Sequence, residues 1–188
     1  SDRAPTNPAH YNLLKDNLDS DLRIDVNDAK SIFSIINEIQ PSFVFHLAAQ
    51  PIVLESYANP INTFNTNVIG TANVLDALRR TNHKCIAVMI TSDKCYDNVE
   101  WTYGYRETDR LGGKDPYSGS KGAAELVIRS YVESYFKKPE SKVHVGIGRA
   151  GNVIGGGDWA PYRIIPDCVQ AWSKNEKPEI RSPFATRP

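Results

Sequence analysis

The sequence predicts an α/β fold: a doubly wound parallel sheet with helices on both faces. Three observations carry that expectation. Short, continuous apolar runs, of the kind a strand buried on both faces needs, alternate with stretches of helical periodicity. The length of 188 residues suits one domain, or one and a fraction. The residues with chemical promise follow the ends of the apolar runs, where open parallel sheets hold ligands.

The elements follow in chain order. The first twenty residues are polar and aperiodic, a loop with at most a short helix. Leu22-Arg23-Ile24-Asp25-Val26 alternates like a short strand. Asp28 can cap a helix running to about Ile39, with Ile32, Phe33, Ile35, Ile36 and Ile39 on its buried side and Pro41 beyond its end. Phe43 to Ala48 reads as a buried strand. Asn59-Pro60 opens a helix reaching about Arg80, and Cys85 to Thr91 is a second buried strand. A long polar loop, Ser92 to Lys114, carries Trp101, Tyr103, Gly104 and Tyr105. Asp115 is a good N-cap and Pro116 fits the first position of a helix running to about Phe136. Val143 to Ile147 is a third strand, Gly155-Gly156-Gly157 a loop, Ile164 to Trp172 a helix, and Glu179-Ile180-Arg181 part of a last strand.

Composition narrows the function classes. Lys+Arg and Asp+Glu both number 22, so no basic excess points to nucleic acid or to a lipid surface. Cys85, Cys95 and Cys168 are widely spaced, with no CxxC and no His/Cys cluster, so no metal site is expected. Reduced thiols in a cytoplasmic protein are the simpler account. The longest apolar run, Ile86 to Ile90, is far short of the roughly 20 residues a membrane span needs. The N-terminus has no signal-peptide core.

Tyr117 and Lys121 carry most of the chemistry. At i and i+4 of a helix they share a face. An ammonium beside a phenol favours phenolate, and such a tyrosine can take a proton from an alcohol. The plain alternative is a helix start with a packed Tyr and an exposed Lys. Against it stand three strand ends, Ala48-Ala49-Gln50, Thr91-Ser92-Asp93-Lys94 and Arg149-Ala150-Gly151-Asn152, which a parallel sheet would bring to one crevice beside that helix. Gly146-Ile147-Gly148-Arg149-Ala150-Gly151 matches G-x-G-x-x-G. No helix opens at Gly151 and no acidic residue stands at a strand end some 20 positions on, so it reads as a close-approach loop at a strand end and not as a dinucleotide fingerprint.

Several words then resemble the extended short-chain dehydrogenase/reductase family, and within it the CDP-glucose 4,6-dehydratase group. They are Val44-Phe45-His46-Leu47-Ala48-Ala49-Gln50, Asn67-Val68-Ile69-Gly70-Thr71, Thr91-Ser92-Asp93-Lys94-Cys95-Tyr96, Tyr117-Ser118-Gly119-Ser120-Lys121-Gly122 and Arg149 to Trp159. The resemblance runs from about Ala4 to Pro188. The Tyr/Lys word marks only the superfamily; Ser-Asp-Lys-Cys-Tyr with Gly-Gly-Gly-Asp-Trp is narrower.

The resemblance implies a Rossmann-like fold, bound NAD and a nucleotide-sugar substrate, CDP-glucose. It implies oxidation at C4, loss of water across C5 and C6, and hydride return to C6, in deoxyhexose synthesis of the kind that supplies lipopolysaccharide O-antigen. Tyr117 would take the C4 hydroxyl proton, Lys121 would keep Tyr117 ionised and hold the nicotinamide ribose, and Ser92 would bond the C4 oxygen. Asp93 matches the acid position. Lys94 stands where the dTDP-glucose relatives have a glutamate base; it is either a neutral-lysine base or a group that orients substrate or stabilises an enolate. Asp25 and Val26 match the adenine-binding pair; Leu47, Ala48, Ala49 and Gln50 line the phosphate and ribose path; Ala150 lies near the nicotinamide. Asn67 matches a crevice-shaping helix position, with a purely structural role open. Asn152 and Arg187 match diphosphate contacts, and Asp158, Trp159 and Arg163 the substrate loop. His46 reads as a packed strand residue.

Residues 1–150 would form part of the cofactor domain and 151–188 the start of the sugar-binding region. The resemblance places the true glycine-rich turn before Ser1 and most of the substrate domain after Pro188, so the chain is expected to be the middle of a longer enzyme, inactive alone. The resemblance implies a homodimer or tetramer: relatives commonly dimerise by packing the Asn59 and Tyr117 helices into a four-helix bundle, for which Leu126, Val127, Tyr131 and Tyr135 could supply apolar surface, the alternative being burial against the chain's own sheet. The alternatives are another nucleotide-sugar dehydratase or epimerase of the same family, or a non-catalytic fragment.

Overall fold

The computed structural model describes residues 6–186, so Arg187 lies outside the described residues. Two compact units emerge: residues 26–151, and residues 6–25 together with 152–186.

The first unit is built on a parallel sheet of three strands in the order β1-β2-β3, with β1 Phe43–His46, β2 Cys85–Ser92 and β3 Val143–Ala150. Helices α2 (Ala29–Ile39), α5 (Gly70–Arg79) and α6 (Pro116–Tyr131) pack on one face. Strand alternation selects that face: Cys85, Ala87 and Met89 of β2 and Val143 of β3 point to it and are buried. They form one core with Ile36, Val74, Leu75, Leu78, Ile128 and Phe136. Phe43, Phe45 and Ile86, in register on the opposite face, are exposed.

The helix starts follow their capping chemistry. Asp28 accepts from the Ser31 backbone N–H at 3.1 Å, and Asp115 from that of Ser118 at 3.0 Å. The helix expected from Asn59 is realised as α4 (Pro60–Phe64) and α5 joined by a π-helical turn at Asn65–Ile69. A second π-helical turn, Val132–Phe136, extends α6. A short helix absent from the sequence reading, α3 (Val53–Ala58), follows the β1 loop.

Several expectations are corrected. Leu22–Val26 is not a strand, nor is Glu179–Arg181; neither has a pairing partner among the described residues, and alternation without a ladder leaves strand backbone unsatisfied. Ile39 is 55% exposed, because α2 turns it past the edge of the core. β3 runs on through Ala150, so most of the Gly146–Gly151 word is strand, not loop; a Cβ on Gly148 would sit 3.1 Å from the Ile90 side chain.

The second unit holds the short helix α1 (Tyr11–Leu14) and α7 (Ile164–Ser173). Among the described residues, no helix is long and apolar enough to cross a membrane.

Candidate active site

α6 places Tyr117 and Lys121 one above the other on its inner face, 8% and 7% exposed. Burial pulls the Lys121 ammonium below its ordinary value, with Cys95 and Glu125 opposing. The first turn of α6 is anchored from α3: Ser56 Oγ accepts from the Tyr117 backbone N–H at 3.1 Å and donates to Val53 O at 2.6 Å.

Asn67, in the middle of the first π-helical turn, joins this turn to the loop after β1. Its Oδ1 accepts from Gln50 N at 2.8 Å, and its Nδ2 donates to Gln50 O at 3.1 Å and to Ser120 Oγ at 2.8 Å. Ser120 in turn donates to Tyr117 O at 2.7 Å. Gln50 spends its side chain on structure, donating to Thr63 Oγ1 at 2.9 Å and accepting from Ile52 N at 2.6 Å. Ala48 and Leu47 are exposed beside it, and Ala49 is half-buried.

His46 ends β1, buried, with Nε2 3.0 Å from Thr71 Oγ1. Burial, reinforced by the nearby Lys121 charge, lowers its pKa to about 4. The imidazole is therefore neutral at pH 7, and the expectation of a packed strand residue fits.

At the end of β2, Ser92 Oγ donates to Asp93 Oδ1 at 3.1 Å and accepts from Lys94 N at 3.3 Å. These residues form a tight 3-10 turn, Asp93–Cys95, with Ser92 buried and Asp93 and Lys94 half-buried. A Cβ on Gly151 would lie 3.6 Å from Asp93 Oδ2, so the end of β3 passes close to that carboxylate. Ala150 is the register partner of Ser92. The Cys95 thiol is pushed up to about 12 by burial, which removes it as a nucleophile.

Glu125, one turn beyond Lys121, is 1% exposed. Arg149 Nε and Nη2 each donate to its carboxylate at 2.9 Å, and Thr91 Oγ1 donates a further, short bond. Burial pushes its carboxyl up, but these bonds outweigh burial and hold it below the usual range. The sequence reading missed this pair. The signal was there: Glu125 stands eight residues after Tyr117, on the same helix face.

The remaining expected contacts are placed separately. Asp25 is exposed. Val26 is half-buried, its carbonyl accepting from Asn73 Nδ2 at 2.9 Å. Within the second unit, Arg163 Nη1 pairs with Asp158 Oδ2 at 3.2 Å, Trp159 is 41% exposed and Asn152 is exposed. Among the described residues no His/Cys/Asp/Glu group could hold a metal ion.

The GDP-mannose 4,6 dehydratase family model matches residues 8–181. The chain belongs to that family. It is 46% identical, over 98% of its length, to the CDP-glucose 4,6-dehydratase of Salmonella typhimurium, and it spans 53% of that relative. It is 34% identical over 59% of its length to a dTDP-glucose 4,6-dehydratase of Mycolicibacterium smegmatis, covering 33% of that protein. Among solved structures, DesIV, a dTDP-glucose 4,6-dehydratase from Streptomyces venezuelae with NAD bound, superposes with a TM-score of 0.72 at 25% identity. That match covers 85% of this chain and 48% of DesIV. A UDP-N-acetylglucosamine 4-epimerase from Methanobrevibacter ruminantium gives 0.71 at 26% identity, over 85% of this chain and 49% of its own. The chain thus spans about half the length of family members such as the Salmonella enzyme.

Proposed function

We propose that the chain is the central part of an NAD-dependent nucleotide-sugar 4,6-dehydratase that converts CDP-glucose to CDP-4-keto-6-deoxyglucose. The observation that carries this reading is the Tyr117–Lys121 pair, buried on one face of α6 against the ends of β1 and β2. The 46% identity to a CDP-glucose enzyme supports the choice of nucleotide.

The residues present fit the nicotinamide end of the cofactor. Small side chains at Ala48, Ala49, Ala150 and Gly151 leave the strand ends open, and Lys121 supplies a buried donor. When bound, NAD supplies a store for the hydride between its removal from C4 and its return at C6.

Tyr117 accepts the C4 hydroxyl proton as C4 becomes a ketone, and Lys121 favours its phenolate through charge. Ser92 bonds the C4 oxygen. The ketone makes the C5 proton acidic; Lys94, on the 3-10 turn, either takes that proton as a neutral amine or orients the substrate and stabilises the enolate left when the proton goes. Asp93 protonates the departing C6 hydroxyl. Asn67 holds Gln50 and the Tyr117 turn to one another and so shapes the crevice. Asp25 and Val26 receive the adenine end and Leu47 the path between. Asn152, Asp158, Trp159, Arg163 and Arg187 receive the nucleotide-sugar, arginine forks suiting its diphosphate.

The same reading divides the chain at about residue 150 into cofactor and sugar regions, places the protein in the cytoplasm in O-antigen deoxyhexose supply, and makes it a homodimer or tetramer. Exposed Leu54, Tyr57, Ile61 and Leu126 on α3, α4 and α6 support self-association, which sedimentation of the complete enzyme tests.

The deciding experiment supplies CDP-glucose to the complete enzyme and follows the 4-keto-6-deoxy product. Tyr117→Phe should lower kcat by about 10²–10⁴. Product from dTDP-glucose but not CDP-glucose, epimerisation without loss of water, or full activity in Tyr117→Phe would each overturn the reading.

A further inference from the structure

The Arg149–Glu125 ion pair joins the three parts on which the dehydratase reading depends. Thr91 and Arg149 are register partners on β2 and β3, and both donate to Glu125 of α6. The guanidinium is the hub, with four hydrogen bonds: two to Glu125, one from Nη1 to Tyr96 Oη at 2.9 Å and one from Nη1 to Glu107 O at 3.2 Å. Thr91 precedes Ser92, and Tyr96 follows the Asp93–Cys95 turn. The ion pair therefore holds the segment bearing Ser92, Asp93 and Lys94 at both of its ends: Arg149 directly at Tyr96, and Glu125 at Thr91.

We propose that Arg149 and Glu125 are positioning residues that hold the Ser92–Lys94 turn in register with the Tyr117 helix, so that elimination at C5 and C6 meets the group that oxidises C4. Neither touches the reacting atoms in this assignment. Glu125 faces inward one turn below Lys121, and its bonds to Arg149 and Thr91 occupy it. A backbone brace supplements the grip: Gly112 N donates to Cys95 O at 2.9 Å, and Tyr96 bridges to Leu111. The planar fork is what the geometry needs. A lysine at position 149 would keep the charge but could not bond Glu125 twice while reaching Tyr96.

The assignment rests on the dehydratase reading for its catalytic half and on the fold alone for its structural half, so the test has two readouts. In the complete enzyme, Arg149→Lys and the milder Tyr96→Phe are compared with wild type. Amide hydrogen exchange of the 92–96 segment should accelerate in both, more in Arg149→Lys, with the melting temperature of Tyr96→Phe unchanged. In single turnover with CDP-glucose, the transient absorbance of reduced nicotinamide should persist longer, because C4 oxidation continues while elimination slows. Steady-state kcat should fall about 10–100-fold in Arg149→Lys with KM within about threefold. Unchanged exchange in both variants overturns the assignment whatever the substrate. Oxidation and elimination slowed in equal proportion overturns it too, since that pattern describes general loosening. Faster exchange with no turnover of CDP-glucose by wild type would instead sink the dehydratase reading and leave the brace standing.

Discussion

At the scale of single residues, His46 shows how one proton fixes a network. Thr71 has one hydroxyl hydrogen, and it goes to Asn67 O at 2.7 Å. Thr71 Oγ1 can then only accept from His46, so Nε2 carries the hydrogen and Nδ1 is bare in the neutral ring. With a folded pKa of about 4 against an ordinary 6.5, the unfolded chain binds more protons between those values. Stability from this residue is therefore full above about pH 6.5 and is lost as pH falls through about 4, a difference of roughly 3 kcal/mol. His46→Gln, which still offers Thr71 a hydrogen, should flatten the rise of denaturant midpoint with pH between 4 and 7; an unchanged slope would count against the assignment. Asp115→Ala removes a cap bond at the start of α6 and should cost about 1 kcal/mol in the same measurement.

At the scale of elements, the helix from Pro60 to Arg79 matters most. A π-helical turn carries one residue more than an α turn, and here it brings Asn67 out between the β1 loop and α6. Asn67→Leu would leave Gln50 N–H and C=O unpaired and should cost about 1–3 kcal/mol, with weaker NAD binding by titration calorimetry. Gly70, directly after the turn, lets α5 approach Val26; a Cβ there would lie 2.6 Å from Val26 Cγ2. The caps at Asp28 and Asp115, the three apolar strands and the Tyr117–Lys121 face were legible because they are written within a few neighbouring residues. The π-helical turn was not: the partners its Asn67 meets, Gln50 and Ser120, lie far from it along the chain. Glu125 shares the Tyr117 helix face, but its partner Arg149 was hidden for the same reason: it is not unusual until β3 is laid beside β2. Leu22–Val26 had the pattern of a strand, but a pattern supplies no ladder partner.

At the scale of the molecule, α2, α5 and α6 cover one face of the sheet, and on the other, among the described residues, Phe43, Phe45 and Ile86 are exposed. The covered face holds Leu75, Leu78 and Met89, all fully buried. Leu78→Ala should cost about 2–5 kcal/mol in denaturant unfolding, the range for emptying a packed site. On the other face Phe43 and Phe45 are 60% and 63% exposed. The 188-residue chain should bind the apolar dye ANS there, and Phe45→Lys should reduce the signal; equal fluorescence in both would mean that the dye reports another surface. The parallel register has a kinetic consequence. Phe43 must find Ile86 across α3, α4 and α5, and Cys85 must find Val143 across a long loop and α6, before either pair of strands forms. Loop closure must thus precede its reward, so helices can flicker into place early while the sheet arrives late, and refolding should be slow and governed by chain topology more than by the strength of any one cap.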